Sequence, residues 1–118
     1  MNEESLLPLT VHGSNISYFT GKLENYLRLK SIPYTFQAMQ MPEGFRLMER
    51  ETGVSQMPGM QLGDGRWLTD TSVIIDWLEP RFPDQPVVPD DPLQALVCYL
   101  IEDYADEWLW RPAMHYRW

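Results

Sequence analysis

Ser17 stands immediately before a run in which Phe19, Leu23, Tyr26, Leu27 and Lys30 recur at helical spacing, so its hydroxyl falls at the head of a helix. The free N–H groups there and the positive end of the helix dipole stabilise an anion, and a serine hydroxyl can donate to the same anion. A thiolate fits this description. A free thiol has a pKa of about 8.5, and lowering it by a unit or two raises the nucleophilic fraction at neutral pH substantially. The chain has a single cysteine, Cys98, which excludes an internal disulfide, a zinc cluster and a Cys-x-x-Cys redox pair. Any thiol must therefore arrive on a ligand. A second pair, Asp70-Thr71, precedes another apolar run. There the dipole and the Thr71 hydroxyl can hold a carboxylate while Asp70 attracts an ammonium.

Each of these residues also has a plain structural reading. Ser17, or Ser14, can cap the first helix with no catalysis, and Asp70 and Thr71 can cap the later one. Tyr18 is a second hydroxyl, ranked behind Ser17 because an aromatic ring there more often packs against the rim of a site. His12 reads as a strand residue with a satisfied ring and His115 as part of a tail. Neither has a metal-ligand partner at usable spacing, so no metal is expected. Cys98 reads as a small core residue of a helix.

The elements that must carry these residues follow from hydrophobic periodicity. Leu6 to His12 is a short apolar run stopped by Gly13-Ser14-Asn15, which predicts a strand entering a tight loop. The helix after Ser17 ends at Ile32-Pro33, because the residue before proline avoids helical angles. Pro33 to Met39 alternates and predicts a second strand, parallel to the first through a right-handed crossover. Pro42 to Thr52 predicts a helix with proline at its first position, stopped by Gly53. Met60 to Leu62 and Arg66 to Thr69 flank Gly63-Asp64-Gly65 and predict a hairpin. In the helix after Asp70, Val73, Ile74, Trp77, Leu78 and Phe82 are expected to form the inner face, with Pro80 ending it.

Pro83, Pro86, Pro89 and Pro92, with Asp84, Asp90 and Asp91 among them, mark a stiff connector. Three segments are expected: a domain at residues 1–82, a linker at 83–91, and a helix from 92 to 118. The last carries a continuous apolar stripe, Leu93, Leu96, Val97, Leu100, Ile101, Tyr104, Trp108 and Leu109. Glu102, Asp103, Asp106 and Glu107 lie mostly opposite it. A length of 118 residues holds one domain and an appendage. With 17 acidic against 9 basic residues the net charge is -8, which disfavours nucleic acid and anionic membrane as partners. No run reaches the roughly 18 apolar residues of a membrane helix, and Met1-Asn2-Glu3-Glu4 is acidic where a signal peptide is basic, so a cytoplasmic location is expected.

The order strand, helix, strand, helix, hairpin, helix resembles the thioredoxin-like N-terminal domain of glutathione transferases, and three motifs over about residues 7 to 82 agree. Val11-His12-Gly13 through Ser17-Tyr18-Phe19-Thr20 and on to Ile32-Pro33-Tyr34 is similar to the family's first strand, serine-type active-site loop and first helix. Val54-Ser55-Gln56-Met57-Pro58 resembles the segment bearing its cis-proline. Leu68-Thr69-Asp70-Thr71-Ser72 resembles its hairpin end and third helix. Three substitutions depart from the pattern: Tyr18 follows the serine where many members have proline, Gly59 follows Pro58, and Thr71 replaces the commoner serine.

The resemblance implies an α/β fold, a βαβ-α-ββα domain with a mixed four-stranded sheet, plus one long C-terminal helix. It implies glutathione as co-substrate, with Ser17 stabilising its thiolate for attack on a small electrophile. Gln56, Met57 and Pro58 would meet the tripeptide, Met57 through its main chain in the manner of an added strand. Asp70 and Thr71 would hold its glutamyl end. The family's electrophile pocket lies largely on a helical second domain, of which this chain carries only the first helix. That would leave Trp108, Trp110, Met114, Tyr116 and Trp118 uncovered, and a homodimer is implied as partner. The rival implication is a non-catalytic interaction module, as in the related domains of translation elongation factor gamma subunits and metaxins.

Overall fold

The computed structural model describes residues 6–117. The acidic start of the chain and Trp118 lie outside the described residues. The chain divides into two compact units, Met1–Gln85 and Pro86–Trp118.

In the first unit, β1 (Leu9–Gly13), α1 (Tyr18–Leu29), β2 (Tyr34–Ala38), α2 (Glu43–Thr52), β3 (Gly59–Gln61), β4 (Trp67–Thr69) and α3 (Thr71–Leu78) follow in the expected order. The four strands form one mixed sheet in the order β2-β1-β3-β4. β1 runs parallel to β2 and antiparallel to β3, and β3 runs antiparallel to β4. This is the thioredoxin-like arrangement that the sequence implies. β1 begins at Leu9 rather than Leu6. Pro8, with no N–H to give a ladder, separates Leu9 from Leu6, whose carbonyl instead accepts from Gly63 N at 2.7 Å.

α1 buries Thr20, Leu23, Tyr26 and Leu27, which recur every three or four residues on one face. It stops as the sequence suggests, with Ser31 at φ 56° and the Ile32 N–H turning back to the Leu27 carbonyl at 2.9 Å. Pro42 precedes α2 as its cap residue rather than sitting inside it, and Gly53 closes that helix at φ 84°. The core comprises Leu9, Val11, Leu23, Leu27, Met48, Met60, Ile74 and Leu78, all inaccessible to solvent.

The inner face of α3 differs from the expected one. Thr71, Ile74, Ile75 and Leu78 are buried, whereas Val73 is exposed and Trp77 only half-buried. Capping by Asp70 makes Thr71 the first helical residue, and the i, i+3, i+4, i+7 series from Thr71 then points inward. Trp77 is covered instead by Arg81, whose guanidinium lies 3.8 Å from the ring centroid.

At their far ends α1 and α3 are joined by a buried ion pair. Lys30, its side chain wholly buried, places Nζ 3.0 Å from Glu79 Oε1. The Tyr26 hydroxyl donates to the same oxygen at 2.6 Å. Burial, then the bond and charge of Glu79, push the Tyr26 pKa far above its ordinary range.

The second unit is helical. Asp91 caps α4 (Pro92–Tyr104) by accepting from Gln94 N at 3.0 Å, with Pro92 at the first turn as expected. A π-helical turn (Ala105–Leu109) leads into α5 (Trp110–Arg117). Cys98 is exposed, correcting its expected place in a core. α4, the π turn and α5 follow one another as consecutive helical stretches and bury none of the side chains of α4 or the π turn.

Candidate functional site

Sheet register brings the three motif segments to one end of the first unit. His12, near the end of β1, is paired with Gly59, the first residue of β3, and Gly59 is paired with Thr69, the last residue of β4. The loop to Ser17 therefore leaves from the same edge at which Pro58 enters β3 and Asp70 leaves β4. Ser17, Pro58 and Asp70 are far apart in sequence, and two strand pairings suffice to gather their segments.

The loop between β1 and α1 is held by its own small polar groups. Ser17 N donates to the Ser14 carbonyl at 3.1 Å, and Ile16 N donates to Ser14 Oγ at 3.3 Å. Ser17, extended at φ −82° and ψ 126°, caps α1 by accepting from Thr20 N at 3.2 Å. Ser14 is thus a loop residue and Ser17 the cap. A hydroxyl that accepts from a main-chain N–H keeps its own proton to donate, so capping and anion stabilisation are compatible in one side chain. Gly13 is required by the approach of α1. A Cβ there would meet Thr20 Cγ2 at 2.6 Å and Oγ1 closer still, and Thr20 is fully buried. Tyr18 opens α1 as an exposed residue.

Gln56 is exposed, Met57 half-buried and Pro58 buried. The Met57–Pro58 peptide bond is cis, as the resemblance implies for this segment, and so are Leu7–Pro8 and Met41–Pro42. Among the described residues neither main-chain group of Met57 is hydrogen-bonded.

Asp70 is the backbone outlier of the site. It holds φ 72° and ψ 112°, a region costly for a residue with a Cβ, and from there its Oδ1 accepts from Ser72 N at 3.1 Å to cap α3. Such strain persists only where the surroundings impose it, and nothing in the sequence signalled it. Thr71 beside it is nearly buried, so the carboxylate of Asp70 is the exposed part of this corner.

Two buried polar atoms on the His12–Gly59–Thr69 row, His12 Nε2 and Thr69 Oγ1, have no hydrogen-bond partner among the described residues. This corrects the expectation of a satisfied histidine ring. His12 is 8 % exposed and lies against Trp67, ring centroids 4.6 Å apart. Burial lowers its pKa, with the Gln61 side chain working the other way. Spacing missed a further tie, Lys22 Nζ to Ser72 Oγ at 3.1 Å, because the two residues lie 50 positions apart. Among the described residues no group of three His, Cys, Asp or Glu side chains is placed to hold a metal ion. No described helix is long and apolar enough to cross a membrane.

Comparison with known proteins gives consistent matches. Residues 11–86 match the family described as glutathione S-transferase, N-terminal domain. Glutathione S-transferase U7 of Arabidopsis thaliana is 24% identical over 98 residues, covering 83% of this chain and 43% of the relative. The Tau class glutathione S-transferase of mango, Mangifera indica, superposes with a TM-score of 0.78 at 17% identity, over 91% of this chain and 49% of that one. A glutathione S-transferase of Methylobacterium radiotolerans, solved with glutathione sulfonate, gives a TM-score of 0.75 at 23% identity, over 83% of this chain and 46% of that one. The chain spans less than half the length of each of these three proteins.

Proposed function

Since the chain belongs to the glutathione S-transferase family through its N-terminal domain, we propose that its first unit binds glutathione and that Ser17 stabilises the bound thiolate for attack on a small electrophile. The observation that carries this reading is the row His12–Gly59–Thr69, which sets the Ser17 loop, the Met57–Pro58 segment and the Asp70 corner at one end of the sheet.

In this reading the tripeptide lies along the open end of β3. Met57 offers main-chain N–H and C=O to its cysteinyl residue and Gln56 hydrogen-bonds beside them. Pro58 shapes the segment. Asp70 takes the glutamyl ammonium, and the start of α3 with Thr71 takes the glutamyl carboxylate. The glutathione sulfur then sits at the head of α1, where the Ser17 hydroxyl donates to it and the helix dipole favours its charged form. Catalysis here is thiol activation: the thiol proton is released to solvent, and the sulfur forms the new bond as the electrophile either expels a leaving group with its bonding electrons or, in an addition, takes up a proton.

One observation favours a second reading for the 118-residue chain. Leu93, Leu96, Leu100, Ile101, Tyr104 and Trp108 are all exposed, a surface suited to a non-catalytic interaction module or to a homodimer. In the first reading the glutathione site lies in the first unit, and in both readings the protein works in the cytoplasm.

Isothermal titration of glutathione into the folded chain, beside Ser17→Ala and Asp70→Ala, tests the proposal. Asp70→Ala is expected to weaken binding at least tenfold, the loss of a charge-assisted bond. Ser17→Ala is expected to keep binding while the bound thiol, followed by thiolate absorbance, titrates at higher pH. No heat at millimolar glutathione rejects the glutathione reading and leaves the interaction module.

A further inference from the structure

We propose that Lys22 is a positioning residue of the glutathione site, holding the first turn of α3 against α1 so that the Asp70–Thr71 corner stands at a fixed distance from Ser17. The inference rests on the glutathione reading above and names the part that sets its geometry.

The starting observation is the bond from Lys22 Nζ to Ser72 Oγ, 3.1 Å long and partly buried. Ser72 is the second residue of α3, and its own N–H is the one that the Asp70 carboxylate caps. Lys22 lies in the second turn of α1, five residues beyond Ser17. One side chain therefore spans from the helix headed by the thiolate-stabilising serine to the turn that carries the glutamyl-binding pair. Each cap is local to its own helix, Ser17 to Thr20 and Asp70 to Ser72, and neither fixes one helix relative to the other.

Two further features favour a positioning role. The Lys22 ammonium stands beside the start of α3, where a cation does not complement the helix dipole, so its place there is explained by the contact it makes rather than by the dipole. The strained Asp70 backbone needs neighbours that hold it, and the Ser72 turn is the segment to which it is capped. Lys22 and Ser72 each engage further partners, so the bond is one link of a small network. The ion pair of Lys30 with Glu79 joins the same two helices at their other ends. The helices are thereby tied at both ends, and Lys22 is the tie next to the ligand.

The test uses the full chain and glutathione itself, with Lys22→Met, Lys22→Arg, Ser72→Ala and the double variant Lys22→Met/Ser72→Ala. Affinity is read by titration calorimetry and the pKa of the bound thiol by thiolate absorbance. Lys22→Met is expected to weaken glutathione about tenfold with the thiol pKa unchanged, since Ser17 and the head of α1 stay in place. Lys22→Arg should recover most of the loss, and the double variant should bind no worse than Lys22→Met. Affinity unchanged in Lys22→Met, or affinity and thiol pKa shifting together as in a general loosening of the fold, overturns the proposal. A folded wild-type chain that does not bind glutathione rejects the function itself and the inference with it, an outcome separate from normal wild-type binding that the variants leave untouched.

Discussion

A histidine that is 8 % exposed with Nε2 unpartnered is best accommodated as the neutral ring. Burial holds the His12 pKa below its ordinary value in the folded chain. The unfolded chain, at the ordinary value of about 6.5, takes up the proton first as pH falls. The stability due to neutral His12 is therefore complete above that pH and is lost as pH drops through it toward the folded value. The urea midpoint is expected to fall between about pH 7.5 and 5.5, above the range where carboxylates titrate, and to fall much less in His12→Phe. Equal slopes in the two proteins would assign the pH dependence elsewhere. At this scale the sequence was partly legible. Serine before one apolar run and aspartate before another are cap signatures, and Ser17 and Asp70 are the caps found. The unpartnered Nε2 of His12 was not legible, because it depends on what the neighbouring strands set beside it. Nor was the φ of Asp70, which no residue type encodes.

At the scale of elements, the pairing of α1 with α3 contains a charge with little tolerance for loss of its partner. The Lys30 side chain is wholly buried and its ammonium faces Glu79 at 3.0 Å. Removing the carboxylate leaves an ammonium buried without its counter-ion, whereas removing the lysine leaves a carboxylate that is partly exposed and still bonded to Tyr26. Glu79→Ala is accordingly expected to cost about 3–5 kcal/mol, and Lys30→Met markedly less, because an apolar chain of similar length fills the same space. Denaturant unfolding of both variants checks the asymmetry. Equal losses would mean that shape rather than charge carries the contact. The strands and helices themselves were readable from periodicity, turn residues and prolines. The inward face of α3 differs from the one its composition suggests for a definite reason: Val73 and Trp77 look like core by residue type, and only the cap position fixes which residues turn inward. The tie between Lys22 and Ser72 had no local signal at all.

At the scale of the whole chain, the two units divide the functions proposed for it. Every buried apolar side chain among the described residues lies between Leu6 and Leu78, and every proposed ligand residue lies between Ser17 and Thr71. The second unit contributes exposed apolar side chains, Leu93, Leu96, Leu100, Ile101 and Trp108 among them. Its helix was legible from the stripe and from Asp91-Pro92. The exposure of Cys98 was not, because a stripe promises a partner without supplying one. A chain ending at Gln85 is therefore expected to fold with the same core and to bind glutathione within about twofold of the full chain, less than the 1.4 kcal/mol of a tenfold change. The full chain is expected to show a mass that rises with concentration in sedimentation velocity, through association of these apolar side chains with those of a second copy, and the shortened chain to remain a monomer. A folded shortened chain without glutathione affinity would place part of the binding surface beyond Gln85. A full chain monomeric at every concentration would remove the homodimer and leave the exposed helix to a different protein partner.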